Sequence, residues 1–245
     1  MLKQRESRLQ PEKKRISQAE ASAWDVVVLS FKLFLPRILF WIHTNLIMIF
    51  FSLGIVTMPA SIAAMYHTIV AGLRDPGGSM VNSSSEMKIG FRTFFFKAFL
   101  LSLIKWAVYI LIGFSIVFWS TRDTWTLRLL TIISLYFLVI WWISSGYFFP
   151  VLIEEKNINL IQVIKKSLYL GISKPFQSLL FAIVTTLLLI FGVILLGPVL
   201  LIIPVLITII MTQGYWFITG NEIPGFMEIY EYINLPEKSN SRGSS

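Results

Sequence analysis

The chain has 245 residues, 56% of them hydrophobic and only 14% charged, against about 25% charged in an average soluble domain. Its net charge of +8 comes from basic residues grouped between apolar stretches, as in loops that face anionic lipid, and this excludes a nucleic-acid-binding face. The absence of cysteine excludes disulfides, iron–sulfur clusters and thiol catalysis, and two histidines leave little material for a metal centre.

Residues 1–20 are basic and polar, with no short apolar core leading to a small-residue cleavage site, so they read as a disordered tail and not as a secretory signal. Residues 21–220 are expected to form a membrane domain, and 221–245 a cytoplasmic tail. Hydrophobic windows place spans at about 38–56, 59–73, 98–119, 129–152, 178–196 and 199–219. The last two come from one run, Pro175 to Asn221, that contains no Asp, Glu, Lys or Arg and is broken only at Gly197-Pro198. The second window is the short one: its residues at 1.5 Å each make ~22 Å, against a hydrocarbon core of ~30 Å.

Charge placement argues for counting it. With six spans, 18 Lys and Arg fall on one side and only Arg122 and Arg128 on the other, with Lys105 inside a span. Without the second span the split becomes 10 to 10. Because basic residues collect in the cytoplasm, the expectation is a multi-pass protein of the cell membrane with both termini cytoplasmic. Trp119 and Trp125 would then mark the outer interface, and Trp41 and Tyr147 the inner one.

An amphipathic segment precedes each pair of spans. Trp24, Val27, Val28, Phe31, Phe34 and Leu35 share one helical face; Met87, Phe91, Phe94, Phe95 and Ala98 repeat the spacing; Ile161, Ile164 and Leu168 repeat it again. Ser17–Glu20 and Ser83–Glu86 have the capping-box spacing at two of the expected helix starts. Pro36–Pro59 and Pro175–Pro198 are equally spaced, each bracketing one span. The expected fold is therefore all-α: a polytopic membrane bundle of six spans in three tight hairpins, each preceded by an interfacial helix. Phe91, Arg92, Phe95, Lys97, Lys165 and Lys166 would present a basic and aromatic face at the lipid surface.

Within the spans His43, Asn45, His67 and Lys105 stand out, because ionisable groups in a bilayer usually face the bundle interior and mark function. They could form a polar vestibule open to the cytoplasm. The competing reading has Lys105 snorkelling to headgroups and the histidines bonding to neighbouring helices. No G-x-S-x-G, H-E-x-x-H or Walker glycine loop occurs, and adjacent Glu154 and Glu155 face different helix sides, reading as a water-exposed helix end. No catalytic, cofactor or metal site is expected.

Trp24, Asn45-Leu46, Gly54, Pro59-Ala60, Ala63-Ala64, the Phe91…Phe94-Phe95-Phe96-Lys97 segment and Tyr147-Phe148-Phe149-Pro150 resemble the bacterial YesL-like family of polytopic membrane proteins over about residues 22–220. The family has no established biochemical activity and supplies no catalytic residues. Its members are often encoded beside carbohydrate-uptake ABC transporters, so the resemblance implies a role tied to sugar import. The long charged N-terminus departs from that pattern. Two readings follow. One is a non-enzymatic accessory or scaffold whose partners are the bilayer and ABC transporter subunits or another membrane protein. The other is a transport component in its own right, a permease or channel built round the vestibule.

Overall fold

The computed structural model of the chain describes residues 21–75, 81–121, 124–155, 157–194, 201–224 and 226. All regular structure among them is helical: α1 (Ala23–Phe34), a 3-10 turn (Leu35–Arg37), α2 (Ile38–Phe51), α3 (Met58–Arg74), α4 (Ser83–Ser120), α5 (Trp125–Ser145), α6 (Phe148–Glu154), α7 (Leu160–Ser173), α8 (Pro175–Ile194) and α9 (Ile203–Thr219). The two tails, the Ser17–Glu20 cap and the Gly197-Pro198 hairpin lie outside the described residues.

Six spans in three hairpins is not the observed arrangement. Among the described residues four helices are long and apolar enough to cross a membrane: Ala23–Phe51 taken through its 3-10 turn, Ser83–Ser120, Leu127–Glu154 taken through its bend, and Pro175–Ile194. The windows at 59–73 and 199–219 correspond to α3 and α9, which have 17 residues each, about 25 Å at 1.5 Å per residue. Both are enclosed by protein. Along α9 almost every residue from Val205 to Ile218 is buried, and α3 buries Ala60, Ala63, Ala64, Ile69 and Val70. An apolar run reads alike whether lipid or protein covers it, and short runs favour a core helix. The 18-to-2 charge ledger counted the second window as a crossing and loses its basis.

The repeat of surface helix and hairpin also gives way, because two of the three amphipathic segments continue into spans. Pro36 lacks an N–H and disfavours helical backbone before it, so α1 tightens into a 3-10 turn and runs on as α2. The segment from Met87 to Ala98 is the first half of α4, a single helix of 38 residues and about 57 Å. Only α7 stands apart as a separate helix. Pro204 occupies the first turn of α9, where its missing N–H and fixed φ favour a helix start.

Helix starts follow local chemistry. Ser22 caps α1 reciprocally with Asp25: the Asp25 N–H donates to Ser22 Oγ at 3.2 Å and the Ser22 N–H to Asp25 Oδ2 at 2.8 Å. At α4 the cap is Asn82 and not Ser83, its side-chain oxygen accepting from the Ser84 and Ser85 N–H groups at 3.0 and 3.3 Å. Asn159 and Gln162 form the corresponding box at α7.

Burial divides α4 in two. Ser83, Met87, Gly90, Phe94, Ala98 and Leu101 are buried at helical spacing, whereas no residue beyond Leu101 in α4 is. The second half lies along α5, with the Tyr109 and Ser145 hydroxyls 3.1 Å apart and those of Ser115 and Ser134 2.9 Å apart. On α1 the buried side is Val26, Val27, Ser30 and Phe34, while Trp24, Phe31 and Leu35 of the predicted stripe are exposed. Trp41 and Tyr147, expected as interface anchors, are core residues at 1% and 0% exposure. Trp125 remains exposed at the start of α5.

Close crossings use glycine, as helices in lipid do when small residues let backbones approach. A side chain at Gly90 would meet Ala64 Cα at 3.0 Å and His67 Cβ at 2.9 Å, both fixed to α3. Leucine there should cost about 1–3 kcal/mol through overpacking. At Gly113, where nothing lies within 4 Å, leucine should change stability by less than about 0.5 kcal/mol. Thermal unfolding of the two variants in mild detergent checks the contrast, and equal shifts would contradict the α3–α4 packing.

Candidate functional site

Two constellations stand out as candidate sites. In the first, α6 ends at Glu154, whose carboxylate accepts from Arg74 Nη2 at 2.6 Å and from Trp216 Nε1 at 2.9 Å. The Arg74 guanidinium also lies 5.6 Å from the Trp216 ring centre. One carboxylate thus ties the ends of α3, α6 and α9. Its side chain is only 10% exposed, which corrects the reading of Glu154 as a free, water-facing helix end. Glu155 pairs with Lys166 on α7.

The second is a groove of about 410 Å³ between α2 and the first turns of α4. One wall is the outer face of α2, with His43, Leu46, Ile47, Phe50 and Phe51; Ser84 and Lys88 close the other side. His43 Nδ1 sits 2.6 Å from Ser83 Oγ, which fixes the imidazole at the polar end. The apolar end is braced by Phe51, stacked on Phe91 at 5.0 Å between centres.

The sequence-selected residues do not converge on one vestibule. Trp41, Thr44, Asn45 and Met48 form the buried face of α2, so Asn45 points inward where His43 points into the groove. His67 belongs to α3, its Nδ1 3.5 Å from Glu86 Oε2 and its ring 5.8 Å from that of Phe94. Lys105 is part of the separate second half of α4. It lies 15 residues beyond Gly90, the residue facing His67, or about 22 Å along the helix.

The expected basic and aromatic face is similarly split. Phe91 and Phe95 meet edge to face at 5.3 Å, and Phe91 stacks on Phe51 of α2. Lys97 Nζ donates to the Ile158 carbonyl at 3.3 Å, holding the connection before α7, and Lys166 of α7 pairs with Glu155. Arg92 and Lys165 are exposed. Among the described residues no three His, Asp or Glu side chains gather as a metal site would require.

Arg37 is a residue that sequence reasoning missed. From the 3-10 turn its guanidinium donates to the Gly72 carbonyl at 2.8 Å and the Asp75 carbonyl at 2.6 Å, capping the end of α3. Its signal was positional: a basic residue beside a helix-interrupting proline. Gln213 was also missed. Its Oε1 accepts from Ser30 Oγ at 2.7 Å in the core, joining α9 to α1. Neither protein-family profiles nor curated proteins nor solved structures yield any match to this chain.

The Glu154 clamp generates a coupling test. Glu154→Ala should cost about 1.5–3 kcal/mol, the range for hydrogen bonds to a charged group, at the low end because Arg74 is more than half exposed. In a double-mutant cycle with Trp216→Phe, unfolding in detergent should show a coupling of at least about 0.5 kcal/mol. Strict additivity would contradict the shared carboxylate.

Proposed function

We propose that this chain is a non-enzymatic membrane scaffold, an accessory to a carbohydrate-uptake system. The observation that supports it most is the unpartnered apolar surface of the spans. On α4, Trp106, Ile110, Phe114 and Val117 are exposed, as are Ile132, Tyr136 and Val139 on α5 and Leu187, Ile190 and Val193 on α8. These faces suit lipid and the helices of a partner membrane protein equally, whereas the inward polar groups Ser30, Gln213, Glu154 and Arg37 are committed to holding helices together. The link to carbohydrate comes from the YesL-like resemblance alone.

We place the N-terminal segment in the cytoplasm, because residues 1–20 carry six Lys and Arg.

A photocrosslinking residue at Phe114, and separately at Ile132, should trap a discrete membrane protein in the native membrane, and subunits of a sugar importer are the expected catch. A discrete partner unrelated to sugar uptake would keep the scaffold and remove the carbohydrate role. Adducts with lipid alone at both positions would contradict the scaffold. Sugar or ion uptake by vesicles containing only this chain would replace it with the transport-component reading.

A further inference from the structure

We propose that the groove between α2 and α4 is a binding site for an anionic phospholipid, with the phosphate held by His43, Ser84 and Lys88 and an acyl chain lying along Leu46 and Phe50. This reading is independent of the scaffold role.

The groove, at about 410 Å³, falls within the ~300–1,000 Å³ usual for small-molecule sites. Its chemistry is graded along one axis. His43 and Phe50 are seven residues apart on α2, so the polar and apolar ends are separated by about 10 Å. That is the grading of a lipid from phosphate into acyl chain. At the polar end Lys88 is exposed, and no carboxylate pairs with it among the described residues. The nearby Glu86 turns to His67 on α3. Ser84 and Lys88 are i and i+4 on one face of α4, and Ser84 adds a hydroxyl beside the ammonium. The tautomer in which the Ser83 hydroxyl donates to Nδ1 presents His43 Nε2–H as a donor to the occupant.

The apolar end decides between a lipid and a water-soluble anion. Leu46 and Phe50 remain 49% and 69% exposed, so the wall is open sideways. Past Phe50 the turn between α2 and α3 stays apolar, with Leu53 and Ile55 exposed. Its polar side chains are satisfied locally: Ser52 Oγ donates to the Met48 carbonyl at 2.7 Å and Thr57 Oγ1 to the Gly54 carbonyl at 2.8 Å. With these hydroxyls bonded locally, the exposed side chains of the turn add apolar surface for an acyl chain beside Phe50. A soluble phosphate would use the polar end and leave this wall uncovered.

The test is lipid retention by the full-length protein, measured by native mass spectrometry from mild detergent with added phosphatidylglycerol or phosphatidylcholine. Wild type should retain phosphatidylglycerol selectively. Lys88→Gln should weaken retention about fivefold, the worth of one lysine at an anionic surface, and Lys88→Arg should restore it. His43→Phe should weaken it too, whereas Lys165→Gln, an exposed charge on α7, should leave it unchanged. Phe50→Asn should weaken retention without changing the charge of the groove. Unfolding midpoints within a degree or two of wild type would show that the variants fold. Equal losses in Lys88→Gln and Lys165→Gln would reduce the effect to general surface charge and overturn the site. Competition by glycerol phosphate as effective as by the lipid would overturn the acyl subsite and leave a soluble anion as the occupant.

Discussion

The structure depends on enclosing α9, a helix too short to cross a bilayer comfortably, within protein. Its surroundings are α1, α2, α3, α6 and α8, so the position of each is referred to one central rod. Enclosure obliges the polar side chains of α9 to find partners in the core. Gln213 takes Ser30 from α1, and Trp216 takes the Glu154 carboxylate from α6. Each partner sits on a different helix, so these bonds set orientation as well as stability. Gly214 lets the Phe181 ring of α8 approach to within 3.0 Å of where a Cβ would stand.

From this rod the helices grade outward. α3 is buried nearly as fully as α9, and the first half of α4 covers it through Gly90, Phe94 and Ala98. The second half of α4 leaves the body with α5 and exposes Ile110, Phe114 and Val117. In lipid the hydrophobic effect does not drive such helices together, so hydroxyl pairs such as Ser115 with Ser134 carry the contact. Stability therefore concentrates at the end where Arg74, Glu154 and Trp216 meet, and the apolar hairpin is left available to lipid or to another chain.

Much of this was legible in the sequence. Composition and the long uncharged run identify a helical membrane protein, and periodicity finds most helices. What periodicity could not separate was burial by lipid from burial by protein. The run that became α9 is as apolar as the spans and is marked off only by its shortness, whereas the run that became α3 is also more polar, carrying Ser61, Tyr66, His67 and Thr68. The continuity of α4 was hidden because Lys88, Arg92 and Lys97 divide the stretch into a polar and an apolar part, although charges on the open side of a helix do not end it. Nor did proline tell one outcome from another: Pro36 tightened the chain into a 3-10 turn, whereas Pro204 began a helix. For the candidate site, His43 was visible as an intramembrane histidine. Its neighbours Ser84 and Lys88 were not, since they come from a segment about forty residues on that only the α2–α4 contact brings near.

Lipid footprinting with a photoreactive acyl chain, read by mass spectrometry on the unmodified protein in membranes, tests the enclosure of α9 most directly. Label on α4 between Leu103 and Val117, on α5 between Ile132 and Val139 and on α8 between Leu187 and Ile194, with none between Val205 and Ile218, is the predicted result. Label on α9 as dense as on α8 would contradict it, because α9 would then face lipid as a span of its own.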